Sequence, residues 1–159
     1  MNKTAKIWRN WLMLLAGGTI LLGLAMVFFP QMVIFSPFIQ SAAQGLTQSE
    51  VFSGPGADIM AFGFGLAGAA TMGWGIMMFF IARGPFARGE SWAWWCFATS
   101  AGIWCVVDTL HVMAAGAHLF ALLNLAMALA VAVPLLATFR VFFGSGSKMS
   151  PRNPSDEFK

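Results

Sequence analysis

The chain has 159 residues, of which 58% are hydrophobic and only 9% are charged. Soluble domains carry about 25% charged residues, so this composition excludes a water-soluble globular domain and indicates a single domain whose solvent is lipid. The net charge of +3 does not indicate a nucleic-acid partner, because the basic residues flank apolar segments and form no patch or stripe.

The first apolar segment, 11–29, follows a polar and basic N-terminal stretch. A helix of this length rises about 28 Å, which is close to the hydrocarbon thickness of a bilayer. The segment is longer than the apolar region of a signal peptide, and Pro30 follows it in place of a cleavage site. We therefore expect a retained first membrane helix over 11–29.

A long connection precedes the second predicted helix, which spans about 58–82 and begins at Asp58, a residue suited to the N-cap. Small residues recur at every fourth position of this helix: Ala61, Gly65, Ala69 and Gly73. In lipid, such a small-residue face lets helix backbones approach closely. The pattern therefore predicts a helix-packing surface.

A short charged turn is predicted over 83–90, followed by a third helix over about 91–113. Three tryptophans open this helix, and with Trp8 and Trp11 they are expected to form one belt at the headgroup level. Ala98 and Gly102 provide this helix with a small patch for helix packing.

The tight turn over 114–117 leads into a fourth helix, predicted over about 118–143. Pro134 lies inside it and cannot donate a backbone hydrogen bond. We therefore expect a free Ala130 carbonyl and a kink at this position. The Gly-, Ser- and Pro-rich segment 144–159 is expected to be a disordered cytoplasmic tail.

All nine basic residues fall into three segments, 1–10, 83–88 and 140–159, and the two other connections have none. This distribution follows the positive-inside rule for four spans with both termini in the cytoplasm. We therefore predict an all-α, up-down-up-down four-helix transmembrane domain over 1–143, in a bacterial inner membrane.

Asp108 is the one carboxylate inside an apolar segment. Such residues are costly in a membrane and tend to face protein or water and to have a role. Gly116 is the midpoint of the last hairpin, so Asp108 and Asn124 are equally far from it along the chain. We expect them to lie at the same depth on facing helices, where the amide can donate to the acid.

His111, His118 and Asp58 are expected in the same outer half of the bundle. Together with Asp108 and Asn124, they form either a polar clamp that orients the helices, or a site for a proton or small solute. A haem, pigment or metal ligand site at His111 or His118 is a further alternative, although the spacing matches no dedicated metal motif.

Several short segments carry a family resemblance: a first helix ending in FFP, the glycine-rich stretch GADIMAFGFGLAG, WCVVDT in the third helix, and an Asn in the fourth. In these segments the chain resembles uncharacterised small four-helix bacterial inner-membrane proteins, loosely akin to DoxX-like proteins. The resemblance implies a four-helix inner-membrane protein and supplies no activity.

No Gly-x-Ser-x-Gly turn or Cys-His pair with an orienting group is present, so no catalytic residue is predicted. We expect a non-catalytic membrane protein without a cofactor, an accessory or assembly subunit that packs against a larger membrane complex. Its expected partners are the lipid bilayer and other membrane subunits or a second copy. A small transporter or channel component using Asp108, His111 and Asn124 is the alternative.

Overall fold

The computed structural model describes residues 3–30 and 57–144, so the long connection and the predicted tail beyond Gly144 lie outside the described residues. Within these ranges the fold is all-α, with a π-helical turn between the second and third helices. The elements are α1 (Lys3–Phe28), α2 (Ala57–Ile81), the π turn (Ala82–Phe86), α3 (Ser91–Ala114) and α4 (His118–Phe143). The predicted all-α four-helix fold is confirmed.

All four helices of the described ranges are long and apolar enough to cross a membrane. The bounds of α3 and α4 agree with the sequence prediction to within one residue. Helix α1 begins at Lys3, eight positions before the predicted 11. The prediction located only the apolar part of this helix. Lys and Arg are good helix formers, so the helix continues through the basic stretch.

The predicted charged turn over 83–90 is wrong in its extent, because the chain remains helical through most of it. Residues 82–86 form a π turn that contains Pro85. A proline in a helix lacks the backbone N–H and crowds the preceding turn, and a locally wider turn accommodates it. The reversal is therefore confined to Gly89 and Glu90.

At each of the two described reversals, a glycine with positive φ ends the preceding helix. The hydrogen bonds follow the same pattern at both. At the first, the Gly89 N–H (φ 78°) donates to the Phe86 carbonyl and the Glu90 N–H donates to the Pro85 carbonyl, each at 3.1 Å. At the second, Gly116 has φ 75°. Its N–H and that of Ala117 donate to the carbonyls of Met113 and Val112, at 3.0 and 2.9 Å. These are Schellman motifs, which need a left-handed residue.

Glu90 also fixes the first reversal through its side chain. Its carboxylate accepts hydrogen bonds from Arg88 and from the indole N–H of Trp92. Both bonds lower the pKa of Glu90, and the bond from Arg88 has the larger effect. The carboxylate therefore stays ionised at neutral pH and keeps both partners.

We call this end of the bundle, which also holds the start of α1 and the end of α4, the terminal end, and the opposite end the hairpin end.

Helices α1 and α2 pack closely at three glycines. A Cβ atom added at Gly23 would lie 2.6 Å from the Gly68 carbonyl oxygen, and one added at Gly68 would lie 2.7 Å from the Gly23 carbonyl oxygen. A Cβ at Gly75 would lie 3.1 Å from the Ala16 carbonyl oxygen. Because backbone atoms occupy these positions, only glycine permits this approach.

The predicted small-residue face of α2 is not the face that packs on α1. Ala61, Ala69 and Gly73 are exposed, and a Cβ added at Gly65 or Gly73 would meet no atom within 4 Å. Of the two residues in the predicted packing patch on α3, only one packs within the bundle. Ala98 packs against the core, whereas a Cβ at Gly102 would meet nothing within 4 Å.

Two of the tryptophans expected in the headgroup belt donate hydrogen bonds to α4. The indole N–H of Trp11 donates to the Ala130 carbonyl at 2.9 Å, and that of Trp94 donates to the Leu135 carbonyl at 2.9 Å. Trp94 is buried, with 8% of its surface exposed. Pro134 frees the Ala130 carbonyl, and Trp11 of a different helix satisfies it.

The hydrophobic core of the described residues lies toward the terminal end. Phe86 is fully buried there, and its ring centroid lies 5.8 Å from that of Phe97 and 4.7 Å from that of Phe142. The buried cluster comprises Leu12, Ala16, Met78, Ala82, Phe86, Ala93, Trp94, Phe97, Ala101, Val131 and Leu135. All four helices contribute to it. Toward the hairpin end α1 still packs on α2 at Gly23 and Gly68.

Replacing Gly68 by Ala should destabilise the bundle, because the added methyl group would overlap the α1 backbone. We expect a loss of about 1–3 kcal/mol, the usual cost of overpacking. Thermal unfolding of the purified protein in detergent measures this. The matched control is Gly65→Ala, which adds the same atom to the same helix in open space. Equal melting temperatures for the two variants would contradict the described α1–α2 packing.

Candidate functional site: a carboxylate in an interhelical cavity

A cavity of about 480 Å³ lies between the four helices, from the level of the core toward the hairpin end. Its walls are mostly Leu, Met, Ala, Val and Phe side chains. The polar side chains that line it are Thr19 of α1, Thr71 and Trp74 of α2, Trp104 and Asp108 of α3, and Asn124 of α4. Among the described residues of this lining, Asp108 is the one ionisable group. A largely apolar cavity with few polar groups is the usual form of a small-molecule site.

Asp108 and Asn124 form the polar contact of this cavity. The Asn124 amide Nδ2 donates to Asp108 Oδ2 at 2.8 Å and to Thr109 Oγ1 at 3.4 Å. Asn124 is buried, with 3% of its surface exposed, whereas Asp108 is half-buried. The predicted pairing across Gly116 is therefore present. The bond holds one carboxylate oxygen in place and links α3 to α4.

Asp108 lacks a cationic partner in the described part of the chain. The one ion pair found there joins Arg88 to Glu90 at the terminal end. The second oxygen of Asp108, Oδ1, accepts no hydrogen bond from a described residue. A carboxylate in apolar surroundings is costly unless it is paired or hydrogen-bonded. The site thus offers an acceptor for a group that the described residues do not supply.

Trp74 and Trp104 lie beside Asp108. Their ring centroids are 6.1 Å apart, and the ring planes are tilted by 39°. Both indoles also line a second cavity of about 530 Å³ together with Asp108 and His111. Helices α2 and α3 lie apart along most of their length, and this cavity occupies the gap between them. Asp108 is therefore reached both from the interior and from the side of the bundle.

The other three predicted site residues lie away from the interior cavity. His111 is exposed and lines the gap between α2 and α3. His118 is exposed and lines a separate cavity with Cys105 and Thr109. Asp58 is exposed at the start of α2. Of the five predicted residues, the structure brings Asp108 and Asn124 into contact, with His111 one helical turn away.

The two histidines line different cavities, so they do not share one site. In the ranges 3–30 and 57–144, no group of three His, Cys, Asp or Glu side chains is placed to hold a metal ion. A haem, pigment or metal role for His111 or His118 stays a prediction. An absorption spectrum and metal analysis of the purified protein test it.

Sequence reasoning missed the two tryptophans that line the cavity. The other five tryptophans lie near predicted helix ends, whereas Trp74 and Trp104 lie in the interior of their helices. An indole far from both headgroup levels is poorly explained as an interface anchor. Their position inside the helices could have indicated a role in the interior of the bundle. Trp104 also lies one helical turn before Asp108, which points to the same place.

Replacing Asn124 by Leu should destabilise the α3–α4 hairpin, because Asp108 loses its described hydrogen-bond donor. Interhelical hydrogen bonds in membranes contribute about 0.6 kcal/mol on average and up to about 1.7 kcal/mol, so we expect a loss in this range in detergent unfolding. The control is Asp108→Asn, which keeps an acceptor oxygen for the Asn124 amide. A greater loss for the control than for Asn124→Leu would contradict this assignment of donor and acceptor.

Comparison of the chain with protein-family models, with curated proteins and with solved structures finds no match.

Proposed function

We propose that this protein is a non-catalytic integral membrane protein that packs against other transmembrane helices, as an accessory or assembly subunit of a larger membrane complex or with a second copy. The observation that carries the proposal is the small-residue face of α2. Ala61, Gly65, Ala69 and Gly73 pack on no helix of the described chain. Glycine in a helix interior costs about 1 kcal/mol relative to Ala, and close approach of another helix would offset that cost.

Cysteine crosslinking in native membranes tests this proposal. In a chain with Cys96 and Cys105 replaced by Ala, Ala69→Cys labelled with a benzophenone maleimide should give adducts of higher mass on illumination, because the benzophenone inserts into C–H bonds of any closely packed neighbour. The matched control is Leu110→Cys on α3, where Leu110 is 68% exposed and belongs to no small-residue face.

The added substitution Gly73→Leu should abolish the Ala69→Cys adducts without changing the melting temperature, because Gly73 has open space within the chain. Adducts from Leu110→Cys alone, or a protein that is monomeric in mild detergent and crosslinks to nothing, would overturn the proposal.

We also propose that the protein resides in a bacterial inner membrane with both termini in the cytoplasm. The support is the distribution of the basic residues, which are confined to 1–10, 83–88 and 140–159. In right-side-out vesicles, a single cysteine at Asp58 should react with a membrane-impermeant maleimide, whereas one at Arg88 should react only after permeabilisation. The reverse result would contradict the orientation.

Binding or transport of a small solute at Asp108 is the second candidate function. The specific observation that favours it is the interior cavity, which contains a carboxylate without a described cationic partner and shares that carboxylate with the cavity between α2 and α3. A purely structural clamp would need the Asp108–Asn124 bond but no open space beside it. Both functions can reside in one protein, because the α2 face and the cavity lie on different sides of α2.

A further inference from the structure

We infer that the interior cavity binds a hydrophobic organic cation, with the Asp108 carboxylate as its counterion and the indoles of Trp74 and Trp104 as its aromatic wall. The inference rests on the proposed solute-binding function and names its ligand class. It is carried by the juxtaposition of one carboxylate and two indoles in the lining of an otherwise apolar cavity.

The charge of the cavity lining favours a cationic ligand. Among the described residues, Asp108 is the one ionisable side chain of the lining, and no basic group pairs with it. The Asn124 amide holds Oδ2 and leaves Oδ1 without a partner among those residues. A cation in the cavity would complete the pairing that an apolar environment demands of a carboxylate.

The number of oxygen donors selects the type of cation. Ca²⁺ takes six to eight oxygen ligands and Mg²⁺ prefers six, whereas the cavity provides one carboxylate, one amide and the hydroxyls of Thr19 and Thr71. These donors of the described residues hold fewer oxygens than either divalent ion takes. An ammonium group with apolar substituents needs only one counterion and gains from the apolar walls, so it fits this donor set better.

The two indoles supply the second recognition element. Trp is the best aromatic partner for a cation, which binds within about 6 Å of the ring centroid. Trp74 and Trp104 have centroids 6.1 Å apart and share the lining of both cavities with Asp108. A cation beside Asp108 therefore has an aromatic surface next to it. Carboxylate and indole together favour a positive charge, whereas the indoles alone would accept a neutral ligand equally well.

Size and access agree with this class. A volume of about 480 Å³ falls within the range of about 300–1,000 Å³ typical of small-molecule sites. The gap between α2 and α3 provides a side path to Asp108. A hydrophobic cation that partitions into a bilayer could approach through this gap. The ammonium group could belong to a free amine or to the headgroup of an aminophospholipid.

The direct test compares two probes of equal shape and different charge. Phenyltrimethylammonium is a cation, and tert-butylbenzene is its neutral carbon isostere. Binding of each to the purified full-length protein in an uncharged detergent is measured by equilibrium dialysis against protein-free micelles. Tryptophan fluorescence provides a second readout, because two indoles line the cavity. We expect the cation to bind at least about tenfold more tightly than the isostere.

Variants locate the site. Asp108→Asn should remove the preference for the cation, and Trp104→Leu should weaken cation binding several-fold. Asp58→Asn is the matched control, since it removes a carboxylate at the same end of the bundle but outside the cavity, and it should bind like the unaltered protein. If Asp108→Asn does not fold, the isostere comparison on the unaltered protein and the Trp104→Leu result still decide.

The outcomes separate the ligand class from the broader function. Equal affinity for the two probes overturns the cation while leaving solute binding in place, and binding of neither probe overturns both. An effect of Asp58→Asn equal to that of Asp108→Asn also overturns the inference. Competition in the uncharged detergent distinguishes the source: displacement of the probe by a short-chain phosphatidylethanolamine but not by the matching diacylglycerol, which lacks the ammonium, indicates the lipid headgroup, and displacement by neither indicates a free amine.

Discussion

Two indole hydrogen bonds join α1 and α3 to the backbone of α4, in the middle of the bundle and toward its terminal end. Trp11 donates to the carbonyl that Pro134 leaves free, and Trp94 donates to that of Leu135. Around them Phe86, at the end of the π turn, packs on rings from α3 and α4. Apolar side chains gain little by leaving lipid for protein, so specific bonds and close packing must set helix arrangement in a membrane. The cavity extends from the level of these contacts toward the hairpin end.

Helix α2 has three distinct sides. One packs on α1 through Gly68 and Gly75, where backbone atoms leave no room for a Cβ. A second side lines the cavity with Thr71 and Trp74. The third carries the small residues Gly65 and Gly73 with open space around them. The two proposed functions use different sides of the same helix. Occupation of the cavity and packing against another subunit are therefore sterically compatible.

Composition and local rules predicted much of this fold, and long-range contacts account for what they missed. The length of the apolar segments predicted the bounds of α3 and α4 to within one residue. Equal distances along the chain from Gly116 predicted the contact of Asp108 with Asn124. The sequence does not show which face of α2 packs on α1. A helix that is apolar on every side lacks the alternation of polar and apolar faces that marks a core face. The donors Trp11 and Trp94 act on residues 119 and 41 positions away, beyond the reach of any local pattern.

The two Schellman turns have a mechanical consequence. Helix α3 is joined to α2 at the terminal end by the reversal at Gly89 and to α4 at the hairpin end by the reversal at Gly116. The pair α3–α4 is also linked by the Asp108–Asn124 bond, so it behaves as one arm. Helices α1 and α2, packed through their glycines, form the other arm. The two arms are joined by the π turn and the reversal at the terminal end, and also by the Trp11–Ala130 bond between α1 and α4. Between α2 and α3 the arms meet at the Trp74–Trp104 ring pair, so a displacement of either indole would change the width of the gap beside Asp108.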